Sequence, residues 1–176
     1  MDRSALQALQ APLKERYRKE PEAAAITLRA EGRLGDEELS CSVETGRALV
    51  NAGLHPATGG SGTLACSGDM LLQALVACAG VTLRAVATAL EIPVRGGTVR
   101  AEGDLDFRGT LGVAKEAPVG FTDIRLRFDL DADADPEQLA TLLRLTERYC
   151  VVYQTLVGSP TVAMEFGAAT PAQGRE

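Results

Sequence analysis

The longest run of apolar positions lies between Asp69 and Glu91, DMLLQALVACAGVTLRAVATALE, where Ala and Leu dominate and Gly80 is the one glycine. About six helical turns fit this length, and the composition predicts a helix. Apolar residues run nearly all the way round it, so it cannot lie on a surface; sheet or a second subunit must cover most of its faces. Cys78, near the middle, is expected indoors. Before the helix the period is two. Ile26, Leu28 and Ala30 alternate with Thr27, Arg29 and Glu31, and Leu39, Cys41 and Val43 alternate with Ser40, Ser42 and Glu44. With Gly32-Arg33-Leu34-Gly35-Asp36 as the turn between them, these read as a hairpin. Gly46 to Gly68, with His55-Pro56 and the Gly-rich 58–62, reads mostly as loop. Ser67 and Asp69 supply helix-start chemistry, and Pro93 lies past the helix end.

The two-residue period returns beyond the helix. Val99, Ala101, Leu105 and Phe107 alternate with Arg100, Glu102, Asp106 and Arg108, and Ile124, Leu126, Phe128 and Leu130 alternate with Arg125, Arg127 and Asp129. Two long antiparallel strands with one dry face each are predicted, with Arg29, Arg125 and Arg127 turned outward. Asp135-Pro136-Glu137-Gln138 has the form of an N-cap, a first-turn proline and a capping-box glutamine. Leu139, Leu142, Leu143, Thr146, Tyr149 and Cys150 then share a face of a second helix. Val151 to Leu156 continues or restarts it, Gly158-Ser159-Pro160 breaks it, and Val162, Met164 and Phe166 predict a last short strand. The resulting division is an N-terminal helical arm at 1–25, interrupted by Pro12, a domain at 26–167 and a flexible tail at 168–176. The fold class is α+β. A sheet covers only one face of the central helix, so a homodimer that sandwiches paired central helices between sheets is expected.

Composition narrows the function. The 176 residues are 45% hydrophobic, enough for one substantial core. A formal charge of −6 with a pI near 4.9 argues against nucleic-acid and anionic membrane partners, which need a cationic footprint. The N-terminus lacks a signal-peptide core, and charged or polar Asp69, Gln73 and Arg84 interrupt the apolar run, so a soluble, cytoplasmic chain is expected. Four scattered cysteines (Cys41, Cys66, Cys78, Cys150) without a CxxC, and a single histidine, His55, make neither a disulfide scaffold nor a metal site, and no cofactor is expected.

Three segments carry a resemblance: GDMLLQALVACAGVTL around Cys78, ERYCVVYQTL around Cys150 and GRLG around Arg33. In this order and spacing the chain, from about residue 26 to 167, resembles the OsmC/Ohr proteins, the osmotically inducible protein C and organic hydroperoxide resistance family. The resemblance implies antiparallel sheets wrapped around long buried central helices in an intertwined homodimer. It also implies thiol-dependent reduction of organic hydroperoxides: Cys78 in the peroxidatic place, Cys150 in the resolving place, and Arg33 where the family arginine holds the attacking thiolate. A dithiol reductant, such as a lipoylated protein, restores the thiols. Many members place a Glu near the start of the central helix; here the candidate is Asp69, one methylene shorter and offset by one residue from the Ohr-type spacing.

The chemistry of these residues follows from charge. Attack on an O–O bond needs a thiolate, whereas burial among Leu, Val and Ala favours the neutral thiol. Cys78 lies about nine residues into its own helix, beyond the reach of that helix's N-terminal amides, so a cation is expected beside it. Arg33 is the candidate and Arg84, nearly two turns past Cys78, a poorer one. Cys41 reads as core, Cys66 as a rival resolving thiol and His55 as a loop contact. Leu71, Leu72, Leu75, Val76 and Val81 predict an apolar pocket suited to alkyl or fatty-acid hydroperoxides, with Tyr149 or Tyr153 at its mouth. The alternative function is a catalytically silent dimer that binds an apolar small molecule in the same pocket.

Overall fold

The computed structural model describes residues 2–19, 32–34, 40–44, 49–112 and 114–167, and for 32–34 and 40–44 it describes the backbone. Helix α1 (Arg3–Lys19) carries Pro12 inside it and packs on the central helix, where Arg3 pairs with Glu91 at 2.5 Å. Three short strands follow, β1 (Gly32–Leu34), β2 (Ser40–Glu44) and β3 (Leu49–Gly53), and a 3-10 turn over Pro56–Thr58 leads to β4 (Ala65–Cys66). They form one sheet in the order β1-β2-β3-β4, with β3 and β4 parallel and the other pairs antiparallel.

This sheet departs from the sequence reading in two places. Arg33 lies within β1, opposite Ser42, rather than in a turn; the expected strand at 26–30 and the link at 35–39 fall outside the described residues. The segment read as loop contains β3, whose Leu49-Val50-Asn51-Ala52-Gly53 has no clean apolar alternation and a 63% exposed Leu49. Its pairing with β2 makes it a strand, which local propensity does not announce.

Helix α2 (Ser67–Leu90) is the predicted central element, ended by Glu91 in the left-handed conformation at φ 59°. By length and composition alone it could cross a bilayer. In the fold, a stripe of Leu75, Ala79, Leu83, Val86 and Ala87 is buried against the elements that follow, β5 (Val94–Leu105), β6 (Phe121–Ala132), α4 (Pro136–Tyr149) and α5 (Val151–Gly158). A one-turn helix, α3 (Phe107–Thr110), takes Phe107 out of the strand in which the alternation had placed it; Asp106 caps it. β5 and β6 pair antiparallel over eleven positions, from Val94↔Ala132 to Leu105↔Phe121. Their outer face is an ion-pair ladder in which Arg125 holds Asp104 and Asp123, Arg100 and Arg127 share Asp129, and Arg95 holds Asp131. Their inner face, through Val94, Phe128 and Leu130, closes on the core of Leu83, Val86, Ala87, Ile92 and Leu142.

The Asp135–Gln138 capping box forms as expected, with both reciprocal hydrogen bonds at the start of α4. That start sets which side of α4 faces inward: Leu142, Thr146 and Cys150 are buried at four-residue spacing, while Leu143 and Tyr149 are exposed. The expected last strand is absent. Residues 159–167 take no regular structure, and Val162, Met164 and Phe166 are 86–99% exposed. A strand exists only through its neighbour's hydrogen bonds, and none of the described residues pairs with this segment.

One side of α2 remains bare. Val81 is 72% exposed and Leu71 38%, and with Ala74 and Ala77 they leave the side of the helix away from the core stripe open. The all-round apolar pattern therefore exceeds what one chain covers.

Candidate active site

α4 ends and α5 begins at a single residue. Cys150, with φ −73° and ψ 108°, is extended and serves as both the last cap of α4 and the first cap of α5. The first intrahelical bond of α5 runs from the Gln154 amide to the Cys150 carbonyl at 2.9 Å. The amides of Val151, Val152 and Tyr153 thus have no partner within their own helix. α5 packs on α2, and these amides meet the sulfurs of Cys78 and Cys150.

Burial alone would push the Cys78 thiol up. Hydrogen bonds from the Val152 amide, the Cys150 thiol, the Val151 amide and the Thr82 hydroxyl outweigh it and hold Cys78 below the ordinary thiol value. Thr82 is one turn past Cys78 on the same helix face. Cys150 behaves in the opposite way. It is 1% exposed, and burial raises its thiol; the Tyr153 and Val152 amides act on it without a close capping bond, and the adjacent Cys78 raises it further. The pair is therefore polarised, with Cys78 shifted toward thiolate and Cys150 toward thiol. Cys66, Cys78 and Cys150 are all free thiols.

One source of positive potential goes beyond the sequence expectation. A cation was expected beside Cys78 because it lies deep in α2, and the amides of a second helix also bear on it. Thr82 and the Val151 and Val152 amides were not singled out from sequence, although the i+4 spacing of Thr82 and the helix restart at Cys150 were both legible there. Of Arg33 the structure gives the backbone position in β1, and its side chain lies outside the described part of the molecule. Arg84 is turned to the other end of α2, donating to the Val94 carbonyl at 2.5 Å.

Asp69 is not brought to the two sulfurs. Nine residues separate it from Cys78, which at about 100° per residue sets the two on opposite sides of α2 and roughly 13 Å apart along its axis. It lines instead a cavity of about 300 Å³ with His55, Cys66, Leu72, Gly103, Asp104, Phe107 and Phe121. There the His55 ring stacks on Phe107 at 5.0 Å, and its Nδ1 accepts from the Ala57 amide. Cys66 is the N-cap of α2, and about 18 Å of helix rise lies between it and Cys78, so it cannot resolve Cys78 within this chain.

A larger cavity, about 510 Å³, lies between β6 and the α4–α5 corner, lined by Leu75, Phe121, Ile124, Leu126, Phe128, Leu143, Tyr153, Leu156 and Val157 with Glu147, Thr122 and Asp123. Tyr153 reaches it and Tyr149 does not; Tyr149 is exposed, with the Arg148 guanidinium 5.6 Å from its ring. Of the five α2 residues expected around an apolar pocket, only Leu75 lines this one, because Leu72 faces the Cys66 cavity and Leu71 and Val81 face outward. Gly103 makes room for Phe121, which borders both cavities: a Cβ there would come within 2.5 Å of the Phe121 ring.

None of the curated proteins matches the chain. Solved structures share its fold: an OsmC-like protein from Mycoplasma pneumoniae (17% identity, TM-score 0.63, 76% of this chain and 89% of that one) and an organic hydroperoxide resistance protein OsmC from Legionella pneumophila (16%, 0.59, 77% and 92%). The organic hydroperoxide resistance protein OhrB of Bacillus subtilis is similar at 19% identity and TM-score 0.51, over 76% of this chain and 92% of that one. The family model described as OsmC-like protein matches residues 60–165, which include Cys78, Cys150 and every element between them, and the chain belongs to that family.

Proposed function

We propose that the protein is a cysteine-based peroxidase that reduces organic hydroperoxides through a Cys78/Cys150 cycle. One observation carries the reading: two neighbouring sulfurs are shifted in opposite directions, Cys78 toward thiolate by the α5 amides and Cys150 toward thiol by burial. The Cys78 thiolate attacks the hydroperoxide oxygen distal to carbon, the O–O bond breaks, and the alkoxide leaves and takes a proton to become the alcohol. Cys78 is then a sulfenic acid. The Cys150 sulfur attacks it, a disulfide forms and water leaves. A dithiol reductant, of which a lipoylated protein is one form, returns both thiols by exchange. The family arginine, at position 33, stabilises the leaving oxygen in this scheme.

A homodimer in the cytoplasm is part of the proposal. The open Ala74–Ala77–Val81 side of α2 flanks Cys78, and a second copy laid against it dries the site. Thiol titration tests the reading. One equivalent of cumene hydroperoxide removes about two free thiols per chain from the wild type and none from Cys78→Ser; unchanged thiols in both would end it. The 510 Å³ cavity supports a second reading, a catalytically silent dimer that binds an apolar small molecule. It predicts tight ligand binding with all thiols unreacted.

A further inference from the structure

Where α4 meets α5, one hydrogen-bond partner is exchanged for another. Cys150 makes the last bond of α4, from its amide to the Thr146 carbonyl at 2.9 Å. In an unbroken helix the next bond would run from the Val151 amide to the Glu147 carbonyl. The Val151 amide instead bears on the Cys78 sulfur, and the carbonyl it leaves accepts from the Gln154 side-chain amide, Nε2, at 2.8 Å. The backbone amide of Gln154 also makes the first bond of α5, to the Cys150 carbonyl. Main chain and side chain of this one residue therefore fasten both sides of the corner. Neither glycine nor proline lies between residues 137 and 157, so no residue forbids the helix from running straight through Cys150. A straight helix would return the Val151 and Val152 amides to the carbonyls of Glu147 and Arg148 and take them from Cys78.

Resting on the peroxidase reading, we propose that Gln154 is a positioning residue for Cys78: by occupying the Glu147 carbonyl it holds the α4–α5 corner bent and keeps the first amides of α5 on the sulfur. The carbonyl is the contested group. With Gln154 on it, the Val151 amide can return only by displacing a bond already made. Without Gln154 it is an unfilled acceptor at a helix end, which the returning amide would satisfy. The bond is exposed, so water competes for it, and it is worth a factor of about two to ten between the bent and straight forms. Packing of α5 on α2 acts in the same direction, so Gln154 tunes the corner and does not create it.

The test follows alkylation of Cys78 by iodoacetamide against pH in the reduced full-length protein, with the Cys78 peptide read by mass spectrometry. Gln154→Met keeps length, neutrality and helix propensity and removes the donor. It should raise the Cys78 midpoint by up to about one pH unit; a midpoint equal to that of the wild type overturns the inference. Val151→Pro separates the corner from any direct effect. Proline has no amide to return, and its ring clashes with the Glu147 carbonyl, so the straight form is barred. In that background Gln154→Met should leave the midpoint where Val151→Pro alone puts it. An equal shift in both backgrounds would mean that Gln154 acts without the corner and overturns the inference, as would loss of folded Gln154→Met by circular dichroism. Cumene hydroperoxide turnover is measured beside these: its absence in the wild type defeats the peroxidase reading, while alkylation still decides Gln154.

Discussion

α2 carries a cysteine at each of two stations, and their surroundings invert the usual rule. Cys66 is the N-cap of a 24-residue helix, the place where a dipole argument looks for an activated thiol, yet its side chain makes no capping hydrogen bond. Cys78 lies three turns into the same helix, where its own dipole does little, and is nevertheless the sulfur held toward thiolate. The difference is which peptide groups are left over. The first amides of α2 stand at one end, and α5, restarted at Cys150, aims its unused amides at the middle. A thiol is activated by the unsatisfied donors that packing brings to it, whichever helix they belong to.

The sharpest way to break this comparison is Cys150→Ala. It removes both a hydrogen-bond donor to Cys78 and the resolving sulfur, so peroxide should leave Cys78 as a sulfenic acid that dimedone traps, detected as a mass adduct; disulfide in this variant would mean Cys66 or Cys41 resolves instead. Val151→Pro is subtler. Proline suits the first position of α5, and Cys150 already has the extended backbone that a residue before proline needs, so the helix should stand while one amide donor disappears. The pH midpoint for alkylation of Cys78 should rise, and an unmoved midpoint would show that the α5 amides are not the source of activation. Thr82→Val removes the weakest of the named donors at nearly constant volume and should move that midpoint in the same direction by less. Asp69→Asn and Cys66→Ser, at the other station, should leave it where it is; a shift from either would join two sites that the fold holds apart.

pH-dependent stability distinguishes the two sulfurs of the pair as well. The lowered value of Cys78 stabilises the fold above the range of an unfolded thiol, near 8.5, and that stabilisation is lost as pH falls through the folded value. The raised value of Cys150 works the other way: stability falls as pH climbs from the unfolded thiol value toward the folded one. Chemical denaturation above neutral pH should show this alkaline fall in the wild type and less of it in Cys150→Ser, which keeps a donor to Cys78.

Much of this was written locally. The extent of α2, the β5–β6 pair, the Asp135 capping box and the restart at Cys150 each follow from spacing and cap chemistry within a few residues, where period and propensity agree. The order of the two cysteines and the segments around them sufficed to indicate the family. Residues 49–53 and 162–166 lay beyond that kind of reading, in opposite senses: one is a strand because β2 lies beside it, and the other, with a good alternating pattern, finds no partner strand among the described residues.

The division is clearest at the site. Sequence alone determined that a cysteine sits mid-helix among apolar neighbours and that a second follows a capped helix, because those statements concern residues a few positions apart. That α5 turns its first amides onto Cys78 and that Asp69 faces away from it were decided only by tertiary structure. The physical reason is common to both. Hydrogen bonding and charge compensation depend on direction and on distances of a few ångströms, and no periodicity along a chain fixes these between segments seventy residues apart.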